Sequence, residues 1–150
     1  MKRSEAREMA MRVAFGVDIN PMSTEEILDT FFDREYYDSL AAEDELFSLY
    51  PDGNNLEYIK KLVSGIGAHS PELDEYIERY AKGWKFERIS RIAVAIMKTA
   101  MFEILYMQDV PNGVAVNEAV EIAKKYETGD TISFINGILG SFIKGEVAYL

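Results

Sequence analysis

Apolar side chains recur at helical spacing along almost the whole chain. The first segment places six of them on one face: Ala6, Met9, Ala10, Val13, Ala14 and Val17. The same i, i+3, i+4 spacing returns in later segments, whereas sustained alternation of apolar and polar residues is not found. The sequence therefore predicts an all-α protein of about seven helices without a sheet.

Capping residues and helix breakers set the expected boundaries. Ser70, which is followed by proline, has the form of an N-cap, and residues 51–55, "PDGNN", have the composition of a loop. A single long helix is expected over residues 87–107, because apolar residues continue there at helical spacing. Asp130 or Thr131 is expected to cap the last helix.

The run "SFINGILGSF", residues 133–142, gives two conflicting signals. Asn136-Gly137 between two apolar stretches is a strong hairpin signal. The apolar residues around it nevertheless follow helical spacing: Ile135, Ile138, Leu139, Phe142 and Ile143. We therefore expect a helix in which Gly137 costs about 1 kcal/mol relative to alanine and allows another backbone to approach closely.

The composition is that of an ordinary globular protein, with 48% apolar and 28% charged residues. A chain of 150 residues suits one domain, so we expect a single domain over residues 1–150. Because cysteine is absent, disulfides, thiolate nucleophiles and cysteine-based zinc sites are excluded. No apolar stretch approaches the roughly 20 residues of a membrane span, and the N-terminus is too polar for a signal peptide. We expect a cytoplasmic protein that does not bind membranes.

The acidity of the chain is concentrated in one segment. The net charge is −10, and residues 21–58 hold eleven of the 26 acidic residues but only one of the 16 basic ones. The rest of the chain is therefore neutral. A polyanion would have to bind that neutral remainder, away from an acidic insert at about 33–54.

Signatures of catalysis are scarce. The chain lacks the glycine-rich phosphate loops, the H-E-x-x-H zinc motif and the G-x-S-x-G nucleophile motif. Its one histidine, His69, lies beside a cap-like serine and is expected to be a helix-end residue. Glu118 and Glu121 lie three residues apart but lack a third ligand or a catalytic partner. We expect no enzymatic activity, no cofactor and no metal site.

One face of the first helix has the composition of a nucleic-acid surface. Met11 and Phe15 lie opposite the core face, with Arg7 and Arg12 beside them. Exposed apolar side chains framed by arginines can stack on bases and neutralise phosphates. A helix that is packed on two sides would show the same pattern, so the residues alone leave both interpretations open.

Two further features are weaker indications of a nucleic-acid site. Phe134, at the start of the last helix, suits core packing better than contact with a base or a phosphate. A basic cluster around Trp84 is more typical of solvated side chains than of a binding site. Its members are Lys82, Lys85, Arg88 and Arg91.

Four segments of the chain match one protein family. The longest is "VPNGVAVNEAVEIAKKYETGDTISFINGILG", residues 110–140. The others are "REMAMRVAFGVDI" at 7–19, "LVSGIGAHSPELDEYIERYAKGW" at 62–84 and "AIMKTAMFEILYMQDVP" at 95–111. All four resemble the NusB family of bacterial transcription antitermination factors, and the acidic stretch near residues 33–54 is not well matched.

The resemblance implies a fold of two three-helix halves around a long shared helix. It also implies binding to the boxA segment of nascent ribosomal-operon RNA, jointly with NusE, a small-subunit ribosomal protein, in the RNA polymerase elongation complex. The RNA-binding positions that it implies lie in two segments: Lys2, Arg3, Arg7, Arg12 and Phe15 in the first, and Asp130, Ser133 and Phe134 in the second.

Four further positions match the family motif, namely Asn117, Glu118, Asn136 and Gly137. We interpret them as structural, through side-chain hydrogen bonds between the last two helices and the close approach at the glycine.

The chain also departs from the family pattern. Acidic residues interrupt its basic N-terminal run, so RNA binding by the protein alone is expected to be weak, with a shallow salt dependence. Ala93-Val94 stands where the family commonly has Asp-Arg, near its partner-facing side. The alternative function is a helical homodimer or protein-interaction scaffold with weakened RNA binding.

Overall fold

The computed structural model describes residues 1–20 and 22–147, and within them the backbone forms eight α-helices and no strand. They are α1 (Arg3–Ile19), α2 (Thr24–Phe31), α3 (Arg34–Leu40), α4 (Gly53–Ala68), α5 (Ser70–Tyr80), α6 (Arg91–Tyr106), α7 (Asn112–Tyr126) and α8 (Gly129–Phe142). The predicted all-α class is confirmed, and the number of helices is close to the expected seven. None of these helices is both long and apolar enough to cross a membrane.

The chain divides after Ala68 into two compact units. In the first unit, α1 packs along α4, and α2 contacts both of them. In the second unit, α6 packs against α5, α7 and α8, and its residues from Ala93 to Ile104 are all buried. Each unit therefore contains four helices with a core of their own, and the expectation of one domain over the whole chain stays a prediction.

The acidic segment is folded on a cluster of aromatic rings. The ring of Tyr37 is fully buried and lies within 4.9–6.0 Å of the rings of Phe32, Phe47 and Tyr50, measured between centroids. Its hydroxyl donates a hydrogen bond to the carbonyl of Leu49 at 2.7 Å. Stacked and edge-to-face contacts of this kind add to the stabilisation from burial alone. The segment therefore has a defined structure, which includes α3 and a 3₁₀ turn at Glu45–Phe47.

Two helix starts differ from the sequence prediction. Residues 53–55 belong to α4 and not to a loop, because Asp52 caps the helix by accepting a hydrogen bond from the Asn55 N–H at 3.0 Å. Ser70 is the first residue of α5 and not its cap, since His69 occupies the N-cap position. The Ser70 hydroxyl instead accepts a hydrogen bond from Lys98.

The long helix expected over residues 87–107 is shorter at its start. A 3₁₀ turn at Phe86–Arg88 comes first, and Ser90 then caps α6 by accepting a hydrogen bond from the Ala93 N–H at 3.3 Å. The last helix also begins earlier than expected, because Thr128, and neither Asp130 nor Thr131, takes its N-cap position.

Asn136-Gly137 lies inside α8, so the helix predicted from the apolar spacing is confirmed. The reason expected for the glycine is wrong. A Cβ atom added at Gly137 would meet nothing within 4 Å, and the residue is exposed. Close packing within this chain therefore does not require a glycine at this position.

We expect Gly137→Ala to raise the free energy of unfolding by about 0.5–1 kcal/mol, because alanine loses less backbone entropy in a helix. Urea denaturation would measure the change. Gly145→Ala is the matched control. It should lower the free energy of unfolding, since a Cβ there would lie 2.7 Å from Cζ of the Tyr80 ring. A Gly137→Ala protein less stable than the parent would contradict this account.

Candidate nucleic-acid interface

The basic start of α1 is held against an aromatic ring of α4. The guanidinium carbon of Arg3 lies 4.1 Å from the centroid of the Tyr58 ring, and that of Arg7 lies 5.6 Å from it. Tyr58 is only 5% exposed, so the ring is a fixed platform. A guanidinium stacked on a ring keeps its N–H edge for a bidentate contact with a phosphate. Lys2 and Arg3 are both exposed, so their charges are accessible.

Hydrogen bonds fix the backbone that carries these two charges. The buried side chain of Asn55 donates from Nδ2 to the carbonyl of Met1 at 2.9 Å and to Asp52 Oδ2 at 3.0 Å. The Asn55 backbone N–H holds the pKa of Asp52 below its ordinary value of 3.8, and the N-terminal ammonium contributes. Glu5 accepts a hydrogen bond from the backbone N–H of Lys2 at 3.0 Å. The first three residues are therefore positioned before any ligand binds.

Sequence reasoning missed Asn55 and Tyr58 as residues of this surface. Their spacing of three places them on one face of α4, together with Ile59 and Leu62, which are fully buried. That spacing is visible in the sequence, but it predicts only a buried helix face. The stack on Arg3 is a contact between distant segments that no local pattern encodes.

The middle of α1 is more buried than expected. Met11 is fully buried, so the expectation that it is exposed is wrong, and Arg7 is only 4% exposed. The apolar pattern on both sides of α1 reflects a helix that is covered on both sides. Arg7 has little surface with which to meet a phosphate, and its assignment to the RNA site stays a prediction.

Arg12 is engaged by the acidic segment. Its guanidinium forms an ion pair with Asp44 and lies 4.9 Å from the centroid of the Phe47 ring. Asp44 also accepts a hydrogen bond from the Leu46 N–H at 2.9 Å, which fixes the carboxylate in place. Phe15, three residues further along α1, is partly exposed. The acidic segment therefore neutralises one of the predicted RNA-binding cations.

The start of α8 carries the second predicted group. Asp130 and Ser133 are exposed and lie on one face of the helix, and Phe134 is half-buried beside them. The Phe134 ring packs on the ring of Trp84, with centroids 4.7 Å apart and planes at 51°. Trp84 is 58% exposed. The structure therefore adds to this group a residue that the resemblance did not assign.

The two asparagines among the four motif positions do not form the hydrogen bonds expected of them. Asn117 and Asn136 make no side-chain hydrogen bond to any residue in the described part of the chain. Both are exposed, and they line an open groove of about 540 Å³ between α7 and α8 with Val116 and Val120. Polar side chains beside an open groove are solvated by water, which removes the need for a partner across the helices. Glu118 is partly buried and has an interaction of its own.

The contacts of His69 are those of a residue with a structural role. Its ring stacks on Tyr106 with centroids 4.3 Å apart, and its Nδ1 lies 3.0 Å from Glu72 Oε2. Tyr106 donates its hydroxyl proton to the same carboxylate. Among the residues that the structure describes, no group of three histidine or carboxylate side chains is arranged to hold a metal ion.

The chain matches the model of the NusB family over residues 4–144. A transcription antitermination protein NusB of Clostridium botulinum is 36% identical over 143 residues, which cover 95% of this chain and all of the relative. The homologue of Ruminiclostridium cellulolyticum is 38% identical over 147 residues, which cover 98% and 92% of the two chains.

Two solved structures are similar along almost their whole length. NusB of T. maritima superimposes with a TM-score of 0.78 at 27% identity and covers 97% of this chain and 92% of its own. The solution structure of NusB from Aquifex aeolicus gives a TM-score of 0.72 at 23% identity and covers 99% of this chain and 93% of its own. The second likeness supports the fold alone.

Proposed function

Because the chain belongs to the NusB family and is a transcription antitermination factor, we propose that it binds boxA RNA of ribosomal operons jointly with NusE. It does so in the cytoplasm, within the complex that keeps RNA polymerase elongating. The observation that carries this proposal is the exposed Arg3 stacked on the buried ring of Tyr58. A prepositioned guanidinium beside a second free cation is suited to a phosphate backbone.

The first unit contributes a small number of phosphate contacts. Lys2 and Arg3 are exposed, Arg7 is buried, and Arg12 is paired with Asp44. Two to three neutralised phosphates correspond to a slope of about −1.4 to −2.1 in a plot of log K against log salt for a single strand. Affinity that rests on so few charges is modest, which is why the joint binding with NusE is part of the proposal.

The second unit contributes base contacts at the start of α8. Asp130 and Ser133 offer a carboxylate acceptor and a hydroxyl to base edges or to a 2′-hydroxyl, and Phe134 offers part of a ring. These groups distinguish one RNA sequence from another better than phosphate contacts do. The proposed sequence preference for boxA therefore rests on this group.

The side chains of Ala93 and Val94 on α6 are not available for contact with NusE. Ala93 is fully buried and Val94 is 8% exposed, so both side chains pack inside the chain. The replacement of Asp-Arg by these residues changes internal packing more than it changes a surface. NusE binding therefore has to use other residues.

Fluorescence anisotropy of a labelled boxA RNA tests the proposal, with a scrambled RNA as control, with and without NusE, and at two salt concentrations. We expect sequence-dependent binding that NusE strengthens and that salt weakens, the first unit contributing to the slope the share given above. Equal binding of both RNAs with NusE present would refute it. A dimer in analytical ultracentrifugation that excludes RNA would favour the scaffold instead.

We expect Asp44→Asn to strengthen RNA binding about threefold, because it releases the charge of Arg12. Asparagine retains an oxygen that can accept from the Leu46 N–H, so the 3₁₀ turn is kept. The same anisotropy titration measures the effect. Asp38→Asn, an exposed acid of α3 with the same change in charge, is the control. Equal gains in both variants would mean that total charge matters and the ion pair does not.

A further inference from the structure

The connection between α5 and α6 presents the one tryptophan of the chain to solvent. Trp84 is 58% exposed, although large aromatic side chains are usually covered. Its position is fixed by a turn, since Gly83 has a φ of +83°, which favours glycine, and the Trp84 N–H donates to the carbonyl of Ala81 at 3.1 Å. The Phe134 ring supports it from one side. An exposed ring held in this way is suited to a ligand.

Four exposed cations lie within seven residues of this ring along the chain, and they lack ion pairs with any described residue. They are Lys82, Lys85, Arg88 and Arg91. Two other cations of the same unit are paired on the surface: Arg79 with Glu75 and Glu146, and Lys124 with Glu121. Residues 82–91 contain these four cations and one acid, so they carry a net charge of +3 in a chain of −10. Trp84 therefore lies in a short segment with a local excess of exposed positive charge.

We propose that Trp84 is a base-stacking residue of the RNA-binding surface, with Lys82, Lys85 and Arg88 neutralising the neighbouring phosphates. This inference rests on the proposed RNA-binding function and names the ring that carries the stacking. Phe134 is half-buried and lies at 51° to the indole, so it supports Trp84 while the open face of the indole takes a base. An aromatic face combined with cations is the chemistry that recognises single-stranded nucleic acid.

Intrinsic fluorescence tests the stacking directly, because Trp84 is the sole tryptophan. The fluorescence of Trp84 is obtained by subtracting the signal of a matched Trp84→Phe sample, with NusE present in both. We expect boxA RNA to quench this fluorescence. The quenching should follow the same binding curve as the anisotropy of the labelled RNA. Trp84→Ala should weaken binding roughly tenfold, and Trp84→Tyr should recover most of the loss. Val114→Ala, which shortens another exposed apolar side chain of the same unit, should leave binding unchanged.

The salt dependence tests the cations. Lys82→Gln together with Lys85→Gln should lower the magnitude of the slope of log K against log salt by about 1.4, as expected for two phosphates on a single strand. Circular dichroism of each variant establishes that the helices are intact. A role limited to folding would leave this slope unchanged.

The outcomes separate this inference from the proposed function. Sequence-dependent RNA binding without quenching, and with full affinity in Trp84→Ala, would overturn the role of Trp84 and leave the proposed function standing. Absence of boxA binding by the parent protein with NusE would overturn both. Loss of NusE binding by Trp84→Ala in the absence of RNA would assign the surface to a protein partner, and the inference would be wrong.

Discussion

Replacing Asp74 by alanine is expected to lower the free energy of unfolding by about 3 kcal/mol. Its carboxylate oxygen Oδ1 lies 3.0 Å from Nζ of Lys98, whose side chain is only 1% exposed. Removing one partner of a buried ion pair takes away the principal compensation of the other charge, which typically costs 3–5 kcal/mol. The low end of this range applies here because the Asp74 side chain is 36% exposed. Lys98 also donates to Ser70, but a hydroxyl offsets a buried charge less well than a carboxylate does.

Chemical denaturation of two further variants completes this experiment. Glu75→Ala removes the neighbouring acid, which pairs with Arg79 on the surface, and should cost less than about 1 kcal/mol. Asp74→Ala combined with Lys98→Met removes both charges and should recover much of the lost stability. A single Asp74→Ala variant as stable as Glu75→Ala would show that water reaches Lys98 and that the pair is dispensable.

Reversing the charge of Arg3 is expected to weaken boxA RNA binding about 30-fold, which corresponds to about 2 kcal/mol. Arg3→Glu removes the exposed guanidinium that Tyr58 holds in place and adds repulsion of the phosphates. Arg3 is a better probe than Arg7, because a glutamate at the buried position of Arg7 would also destabilise the fold. Anisotropy of the labelled RNA with NusE present measures the loss.

Lys60→Glu is the matched control for Arg3→Glu. Lys60 is exposed on α4 and lies about 200° around the helix from Tyr58. The substitution Lys60→Glu therefore makes the same change in charge on the opposite side of α4. Tyr58→Phe should keep the stacking of Arg3 on the ring and the affinity for boxA RNA. Tyr58→Leu should weaken both, because it removes the ring. Equal losses for Arg3→Glu and Lys60→Glu would mean that RNA responds to net charge and not to a defined site.

The helices were predictable because their apolar spacing records burial directly. The helical state of Asn136-Gly137 followed from Ile135, Ile138 and Leu139, whose spacing outweighed the local turn signal. Boundaries were less certain because several polar residues could cap each helix. His69 takes the N-cap position of α5 in place of Ser70, and Thr128 takes that of α8 in place of Asp130 or Thr131. Only the tertiary packing decides between such candidates.

The candidate site was only partly predictable, because a periodic pattern shows which faces of a helix are apolar but not what covers them. The pattern therefore predicts that Met11 belongs to a surface, although it is fully buried. Three contacts of the site join segments that are distant in sequence. They are the stack of Arg3 on Tyr58, the ion pair of Arg12 with Asp44 and the packing of Phe134 on Trp84. Such contacts depend on the complete fold, and no local pattern encodes them.

The aromatic cluster holds the carboxylates of the acidic segment at fixed positions, because the rings around Tyr37 leave its backbone little freedom. Fixed charges of one sign produce a directional field, whereas the charges of a loose tail would average over many positions. In the RNA complex proposed above, such a field would repel the phosphate backbone from the exposed carboxylates of this segment. The repulsion would depend on salt, because screening weakens it.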